Sequence, residues 1–220
     1  MSAGEKVFVS WSGGKDAYLA LLKAREAGLQ PGCLLTFINN KDSCSMSHNL
    51  PVELLSSQAR ALNLPQILEP VTWDSYEESF HRVSCELKQK GFTGGVFGDI
   101  NIAEHRHWVE KACARAAINC YLPLWGLQEE DILSELLALK AELLIVALRK
   151  DLLEGKWLGR LLDVDFIQEV KSRGLSPCGE AGEYHTLVVN GPLFKEKLEV
   201  GVSGYRSEEK VIFLDYFVKK

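Results

Sequence analysis

No stretch of the 220-residue chain is apolar for long enough to span a membrane. The first residues, Met-Ser-Ala-Gly-Glu-Lys, pass directly into a β-prone segment without a signal-type apolar region. The expectation is a cytoplasmic protein with no membrane partner. Positive charge is not in excess either: 25 Lys and Arg against 30 Asp and Glu leave a net charge of −5, which argues against nucleic acid as the main partner. The cysteines at 33, 44, 85, 113, 120 and 178 form no Cys-x-x-Cys pair and have no His-x3-His companion. Neither a zinc site nor a disulfide framework is supported, and they read as small buried hydrophobes in a reducing compartment. Internal repeats, low-complexity segments, the Walker spacing Gly-x4-Gly-Lys-Ser/Thr and the dinucleotide pattern Gly-x-Gly-x2-Gly are all absent.

What is present begins at the first strand. Val7, Phe8 and Val9 lead through Ser10, Trp11, Ser12, Gly13, Gly14, Lys15 and Asp16 into an Ala- and Leu-rich helix that ends at Gly28. Two glycines at a strand-to-helix turn let the backbone approach a ligand, and the free N–H groups and positive end of the helix favour an anion. Lys15 adds a full charge. A plain tight turn with a solvated lysine is the alternative for a bare Gly-Gly pair; the full Ser-Gly-Gly-Lys-Asp string favours phosphate.

Strand–helix alternation continues. Cys33–Ile38 is a fully apolar strand, as in a parallel sheet covered on both faces. Helix from Pro51 through Leu62, strand 66–71, helix 75–90, strand 94–100, helix 102–117 and strand 120–124 follow. His48 falls after strand two, at the carboxyl end of the sheet, and reads equally as a ligand contact or a solvated loop histidine. Asp99 ends strand four on the same rim. His105 and His107, two apart on a helix, point to different sides and make poor joint metal ligands. The regular pattern stops at Pro123-Leu124-Trp125-Gly126, so residues 1–126 are expected to form one domain, carrying the phosphate loop, and 127–220 a smaller one ending in antiparallel strands.

The second chemically loaded stretch is Cys178-Gly-Glu-Ala-Gly-Glu-Tyr-His-Thr186, with Glu180, Glu183 and His185 inside six residues. Two carboxylates and an imidazole can bind ammonia, hold magnesium through oxygen, or serve as general base. Isolated surface acids are usually only solvated, but the glycines beside Glu180 suggest a shaped backbone.

Ser10 to Asp16 resembles the pyrophosphatase loop Ser-Gly-Gly-x-Asp-Ser, with Ala17 in place of the final serine. Taken with Ser47-His48, Gly98-Asp99-Ile100, His105-Arg106-x-Trp108-x-Glu110, Pro123 to Gly126, Leu158-Gly159-Arg160, the 178–186 loop and Gly191-Pro-Leu-Phe194, the chain resembles the diphthine–ammonia ligase family of ATP pyrophosphatases over nearly its whole length. The resemblance implies an α/β, Rossmann-like (HUP-type) five-stranded parallel sheet with a smaller C-terminal α+β domain. It also implies adenylation of a substrate carboxylate by ATP with magnesium, release of pyrophosphate, and displacement of AMP by ammonia. In the family's named members that carboxylate belongs to diphthine, a modified histidine of translation elongation factor 2. Carried onto this chain, Ser12, Gly13, Gly14, Lys15 and Asp16 would meet the phosphates, Ser10 and Gly98 would also contact the nucleotide, and the backbone at Phe37 and Ile38 would meet the adenine. Asp99 would face the nucleotide or its metal. His48, Arg106, Glu180 and Glu183 would meet the acceptor, with Lys15, Asp99, Glu180, Glu183 and His185 carrying catalysis. A homo-oligomer is compatible with all of this. The alternatives are the same chemistry on a small-molecule carboxylate, such as a cofactor precursor, and a non-catalytic nucleotide sensor. A sulfur-transferring RNA enzyme would need paired cysteines and a basic face that the sequence lacks.

Overall fold

The computed structural model describes residues 4–41, 43–46 and 48–218, so Ser47 lies outside the described residues. Strands β1 (Lys6–Ser10), β2 (Gln30–Asn39), β3 (Gln66–Val71), β4 (Gly94–Val96) and β5 (Asn119–Tyr121) form a parallel sheet in the order β3-β2-β1-β4-β5. Helices α1 (Lys15–Glu26), α2 (Val52–Ala61), α3 (Tyr76–Gln89) and α4 (Ala103–Ala116) connect them. After α5 (Glu129–Ala138) come β6 (Glu142–Arg149), a 3-10 turn at Gly155–Trp157, α6 (Val164–Ser172), β7 (Tyr184–Asn190), β8 (Val200–Ser207) and β9 (Val211–Val218). The last four strands make an antiparallel sheet in the order β7-β6-β9-β8. The five-stranded parallel sheet and the smaller C-terminal α+β unit are as the sequence predicts.

Alternation along β1 divides the interior. Val7 and Val9 face α1, α2 and the β6–β7 region, while Phe8 joins Leu35, Phe37, Phe80, Phe97 and Val109 beneath α3 and α4. The first of these clusters is continuous from Val7 and Leu19 to Leu143 and Val188, so the two sheets share a core through α1. That explains why α1 is apolar almost all round: it is covered by the parallel sheet on one side and by β7 and α5 on others. It stops where the sequence predicts. Gly28 takes φ +80°, and the N–H of Leu29 closes back on the carbonyl of Ala24 at 3.0 Å, a glycine-terminated helix end.

Two strands differ from the sequence reading. β4 leaves the ladder after Val96 rather than at residue 100, because Gly98 lies against the start of α1; a Cβ there would stand 2.8 Å from the carbonyl carbon of Asp16. β5 is Asn119–Tyr121 rather than 120–124, since its only neighbour β4 ends and Pro123 cannot donate to a ladder. Both departures turn the chain over the carboxyl edge of the sheet. Strand order reverses between β2, β1 and β4, and open α/β sheets bind ligands at the crevice such a reversal opens.

Candidate functional site

Ser12, Gly13 and Gly14 carry the chain from β1 into α1, and both glycines pack against protein. Gly13 has φ +84°, and a Cβ on it would meet Leu50, Gln58 and Leu55 within 3.0 Å. A Cβ on Gly14 would stand 2.5 Å from Nε2 of His48 and 3.2 Å from the carbonyl oxygen of Thr186. The turn is therefore clamped between α2 and β7. Gln58, fully buried on α2, is the clamp: its amide donates to the carbonyls of Gly13 (2.9 Å) and Val188 (2.8 Å) and accepts from the Trp11 indole (2.9 Å). The Val188 N–H also donates to Gly13, and the Lys15 N–H to Oγ1 of Thr186.

Lys15 is 4% exposed, and its ammonium donates to Asp16 (2.9 Å) and to the carbonyl of Cys178 (2.5 Å). Burial is the largest single influence and opposes its charge, but the neighbouring groups together, Asp16 first among them, hold it above the ordinary lysine range. This lysine thus joins the glycine loop to the acidic loop.

The acidic loop is organised from within. Glu183 is 4% exposed, and its carboxylate accepts from the N–H groups of Ser176 (3.2 Å) and Ala181 (3.0 Å). Glu129, at the start of α5, accepts from the Cys178 N–H (2.8 Å) and the Ser176 hydroxyl (2.5 Å), while Ser176 Oγ accepts from the Glu180 N–H (3.0 Å). Tyr184 donates its hydroxyl to the carbonyl of Pro177 (2.6 Å). Gly179 takes φ +73°, and a side chain there would press on the Tyr184 ring. Glu180 is the acid that this framework turns inward.

The two loops enclose a cavity of about 330 Å³ at the carboxyl ends of β1, β2 and β4. Ser10, Ser12, Lys15, Asp16 and Ala17 line it from the glycine turn, and Leu35, Thr36 and Phe37 from β2. Gly98, Asp99 and His105 line it beside β4, and Glu180, Gly182, His185 and Thr186 beside β7. Burial, reinforced by Asp16, pushes Glu180 up to about 7. Burial also raises Asp99, against the opposing pull of His105, whose Nδ1 lies 3.5 Å away. His48 and His185 face each other with ring centroids 4.6 Å apart. Burial lowers both, His185 to about 4 and His48 well below its usual value, with Lys15 adding to the effect. Both imidazoles are neutral at physiological pH. Burial raises the Cys178 thiol well above its usual range, so it is not poised as a nucleophile.

Of the sequence-predicted residues, Ser10, Ser12, Lys15, Asp16, Phe37, His48, Gly98, Asp99, Glu180 and His185 come together around this cavity. Gly13, Gly14, Ile38, Arg106 and Glu183 are outside its lining. Ile38 bridges to Ser45, and the carbonyl of Phe37 accepts from Met46. Arg106 pairs with Glu110 and lies over the Trp125 ring at 5.0 Å. Glu183 has spent its oxygens on the loop. The Gly191 motif packs on α1, with Phe194 edge-on to Tyr18 at 5.7 Å, and is structural. Gln58, Glu129 and Ser176 are the residues sequence reasoning missed. A glutamine on the apolar face set by Leu54, Leu55 and Ala61 was the available signal for the first.

Among the described residues no three His, Cys, Asp or Glu side chains converge as a ready-made metal cage. Magnesium, however, is commonly held by one or two carboxylates together with substrate phosphates. Asp16 suits that role: its Oδ1 is buried and has no hydrogen-bond partner.

The geometry can be set beside known proteins. The model for the diphthamide synthase N-terminal domain matches residues 5–120, and that for the diphthamide synthase C-terminal domain matches residues 128–216. Rat diphthine–ammonia ligase is 28% identical over 159 residues, covering 70% of this chain and 59% of that protein. The human diphthine–ammonia ligase is 28% identical over 158 residues, with the same coverage of 70% and 59%. This chain thus spans about 59% of the length of those relatives. A solved structure from Methanocaldococcus jannaschii, described as a predicted subunit of tRNA methyltransferase, superimposes with a TM-score of 0.47 at 17% identity, over 88% of this chain and 99% of that one. With both domain models matched in order across the two sheets, the chain belongs to the diphthamide synthase family.

Proposed function

We propose that this protein is an ATP-dependent amide-forming ligase, which activates a substrate carboxylate as an acyl-adenylate and transfers the acyl group to ammonia. The observation that carries the reading is the single cavity shared by the glycine turn and the acidic loop, with Lys15 hydrogen-bonded across to Cys178. ATP would lie with its phosphates toward Ser12, Lys15 and Asp16 and its base toward β2. Magnesium, held by Asp16 or Asp99 with the phosphates, would supply charge neutralisation of the leaving pyrophosphate.

In the first step a carboxylate oxygen attacks the α-phosphorus, and the bond from that phosphorus to pyrophosphate breaks. In the second, the nitrogen of ammonia attacks the acyl carbon, the acyl–oxygen bond breaks, and AMP leaves. The attacking nitrogen must shed a proton. Glu180, with a pKa of about 7, is matched to that duty near neutral pH. The neutral His185 imidazole, which lines the same cavity, can donate or accept one hydrogen bond without adding charge.

The family's named relatives make the acceptor diphthine. A small-molecule carboxylate is the second reading. The experiment combines the protein with ATP, magnesium and 15N-ammonium, and either diphthine-bearing elongation factor or a panel of small carboxylates. The reading expects AMP and pyrophosphate in equal amounts together with a 15N-amide on one acceptor class. ATP binding with no acceptor-dependent AMP from either class would sink it in favour of a nucleotide sensor.

A further inference from the structure

Three acids open α5, and their duties differ. Glu130 is exposed and pairs with Lys171 at 3.1 Å, and Asp131 is exposed as well, as expected of acids that the helix dipole favours. Glu129 is half-buried, and both of its carboxylate oxygens are claimed. One accepts from the Cys178 N–H (2.8 Å) and the Ser176 hydroxyl (2.5 Å), the other from the side-chain amide of Asn101 (2.9 Å). The backbone carbonyl of Glu129 also accepts from the Cys178 thiol at 3.5 Å.

Asn101 belongs to the opposite wall of the site. It stands two residues after Asp99, and the carbonyl of Ile100 between them accepts from the Gly126 N–H at 2.9 Å. Residues 126–129 are thus fastened at both ends to the turn that carries Asp99. Toward the acidic loop Ser176 passes the connection on, since its Oγ accepts from the Glu180 N–H at 3.0 Å. A hydrogen-bonded path therefore runs from the Asp99 turn to Glu180, and it crosses between the two walls at one carboxylate. Asn101, Gly126 and Glu129 are outside the cavity lining.

The path opposes a force that the site itself creates. Asp99 and Glu180 both face the cavity, and the charge of Asp99 is one of those that add to burial in raising Glu180. Like charges on two separate turns push apart unless the turns are held, and hydrogen bonds to an ionised acceptor are the stronger kind. We propose that Glu129 is a positioning residue: it touches neither nucleotide nor acceptor, and it fixes the distance between Asp99 on the nucleotide side and Glu180 on the acceptor side. This rests on the amidation reading above, in which Glu180 takes the proton of the attacking nitrogen. In such a step a displacement of about 1 Å costs on the order of a hundredfold in rate.

Three variants of the full chain test the tie: Glu129→Ala, Glu129→Gln and Asn101→Ala. Each is followed by amide hydrogen exchange at Cys178 and Glu180 and, with the acceptor that wild type uses, by kcat and the KM for ATP. Glu129→Ala should speed exchange at both amides and lower kcat, each by at least about tenfold, with the KM for ATP within about threefold. Glutamine should restore both readouts to within about threefold of wild type, because its oxygen can keep Ser176 and Cys178 while its NH2 donates to the Asn101 oxygen once that amide turns over. Asn101→Ala separates the two roles that Glu129 could have. It leaves the bonds to Ser176 and Cys178 in place and cuts only the arm to the Asp99 turn, and because Asn101 is exposed it serves also if Glu129→Ala does not fold. Exchange at Glu180 should still quicken and kcat fall, each by at least about threefold. Wild-type exchange and kcat in Asn101→Ala would show that Glu129 only anchors the acidic loop, and would overturn the proposal. A glutamine variant as impaired as the alanine one would overturn it too. If wild type forms no amide, the amidation reading falls instead, and hydrogen exchange in Asn101→Ala alone decides whether the tie exists.

Discussion

The glycine turn and the acidic loop were alike in the sequence, each a short glycine-punctuated string of polar residues, yet the fold uses them differently. In the turn the glycines serve the protein: Gly13 makes room for α2, and Gly14 for His48 and the Thr186 carbonyl. The side chains Ser12 and Asp16 are left for the cavity. In the acidic loop two chemically identical side chains divide the labour. Glu183 holds the loop by two backbone N–H groups, and Glu180, three residues earlier, faces the cavity. A motif letter therefore does not carry a role by itself; what decides is whether the backbone around it has already claimed its hydrogen bonds.

The largest expected effect comes from breaking the clamp that holds the two regions together. Gln58→Ala leaves two buried partners, the Trp11 indole and the carbonyl of Val188, without these hydrogen bonds, while the Gly13 carbonyl keeps the Val188 N–H. At about 1–3 kcal/mol for each unsatisfied buried group, a loss of at least about 2 kcal/mol is expected in urea unfolding. A loss under about 1 kcal/mol would show that the turn is held by other means. Gly14→Val comes next. Its added methyls collide with His48 and the Thr186 carbonyl, and overpacking of this kind costs about 1–3 kcal/mol. Thermal unfolding should therefore drop along with ATP affinity. Loss of ATP binding at unchanged melting temperature would return Gly14 to a direct phosphate contact.

The paired glutamates sharpen the comparison further. Glu180→Gln should lower kcat and kcat/KM together by about a hundredfold, as expected for loss of a general base. Because the folded-state pKa of Glu180 lies above its ordinary 4.5, the cost of ionising it in the folded protein builds up between pH 4.5 and about 7 and is complete above that. The glutamine variant should therefore melt no lower than wild type at pH 8, with any advantage gone below pH 4.5. Glu183→Gln should do the reverse: it presents an NH2 to a backbone N–H, costs stability by about 1–3 kcal/mol, and lowers activity only as far as the loop loosens. Equal losses of turnover at wild-type stability in both would show that the division of labour is wrong.

The effect that is smallest at neutral pH is a pH slope. The folded-state pKa values of His48 and His185 lie below the ordinary 6.5, so the unfolded chain takes up their protons first. Stability from this source is complete above pH 6.5 and is lost as pH falls toward 4, at no more than about 1.4 kcal/mol per pH unit for each histidine. His185→Gln should flatten the slope between pH 6.5 and 4. An unchanged slope would mean that the imidazoles are accessible enough to protonate in the folded state.

The parallel sheet was legible because strands covered on both faces read as unbroken apolar runs, and Cys33–Ile38 is such a run. The end of α1 was legible because Gly28 is where a left-handed residue is needed. β4 and β5 were misjudged in length because apolar residues 97–100 and 122–124 are buried by other means than a ladder, under α3 and α4 or against the α1 turn. Glu129 was hidden for a different reason. It opens a helix with Glu130 and Asp131, where acids are favoured by the helix dipole alone, so nothing local marked it as the anchor of Cys178 and Ser176. Contacts between residues more than a hundred positions apart leave no local signature.

That separation has a consequence for synthesis. Gln58 waits for the carbonyl of Val188, 130 residues later in the chain, and Lys15 for that of Cys178, 163 residues later. At roughly 5–20 residues per second, the ribosome leaves the glycine turn without these partners for on the order of ten seconds. Through that interval the Lys15 ammonium has Asp16 alone, the Gln58 amide lacks one of its two acceptors, and the apolar side of α1 lacks β7. Synonymous codon changes between positions 58 and 188 that slow translation should therefore lower the yield of folded protein while leaving its sequence untouched.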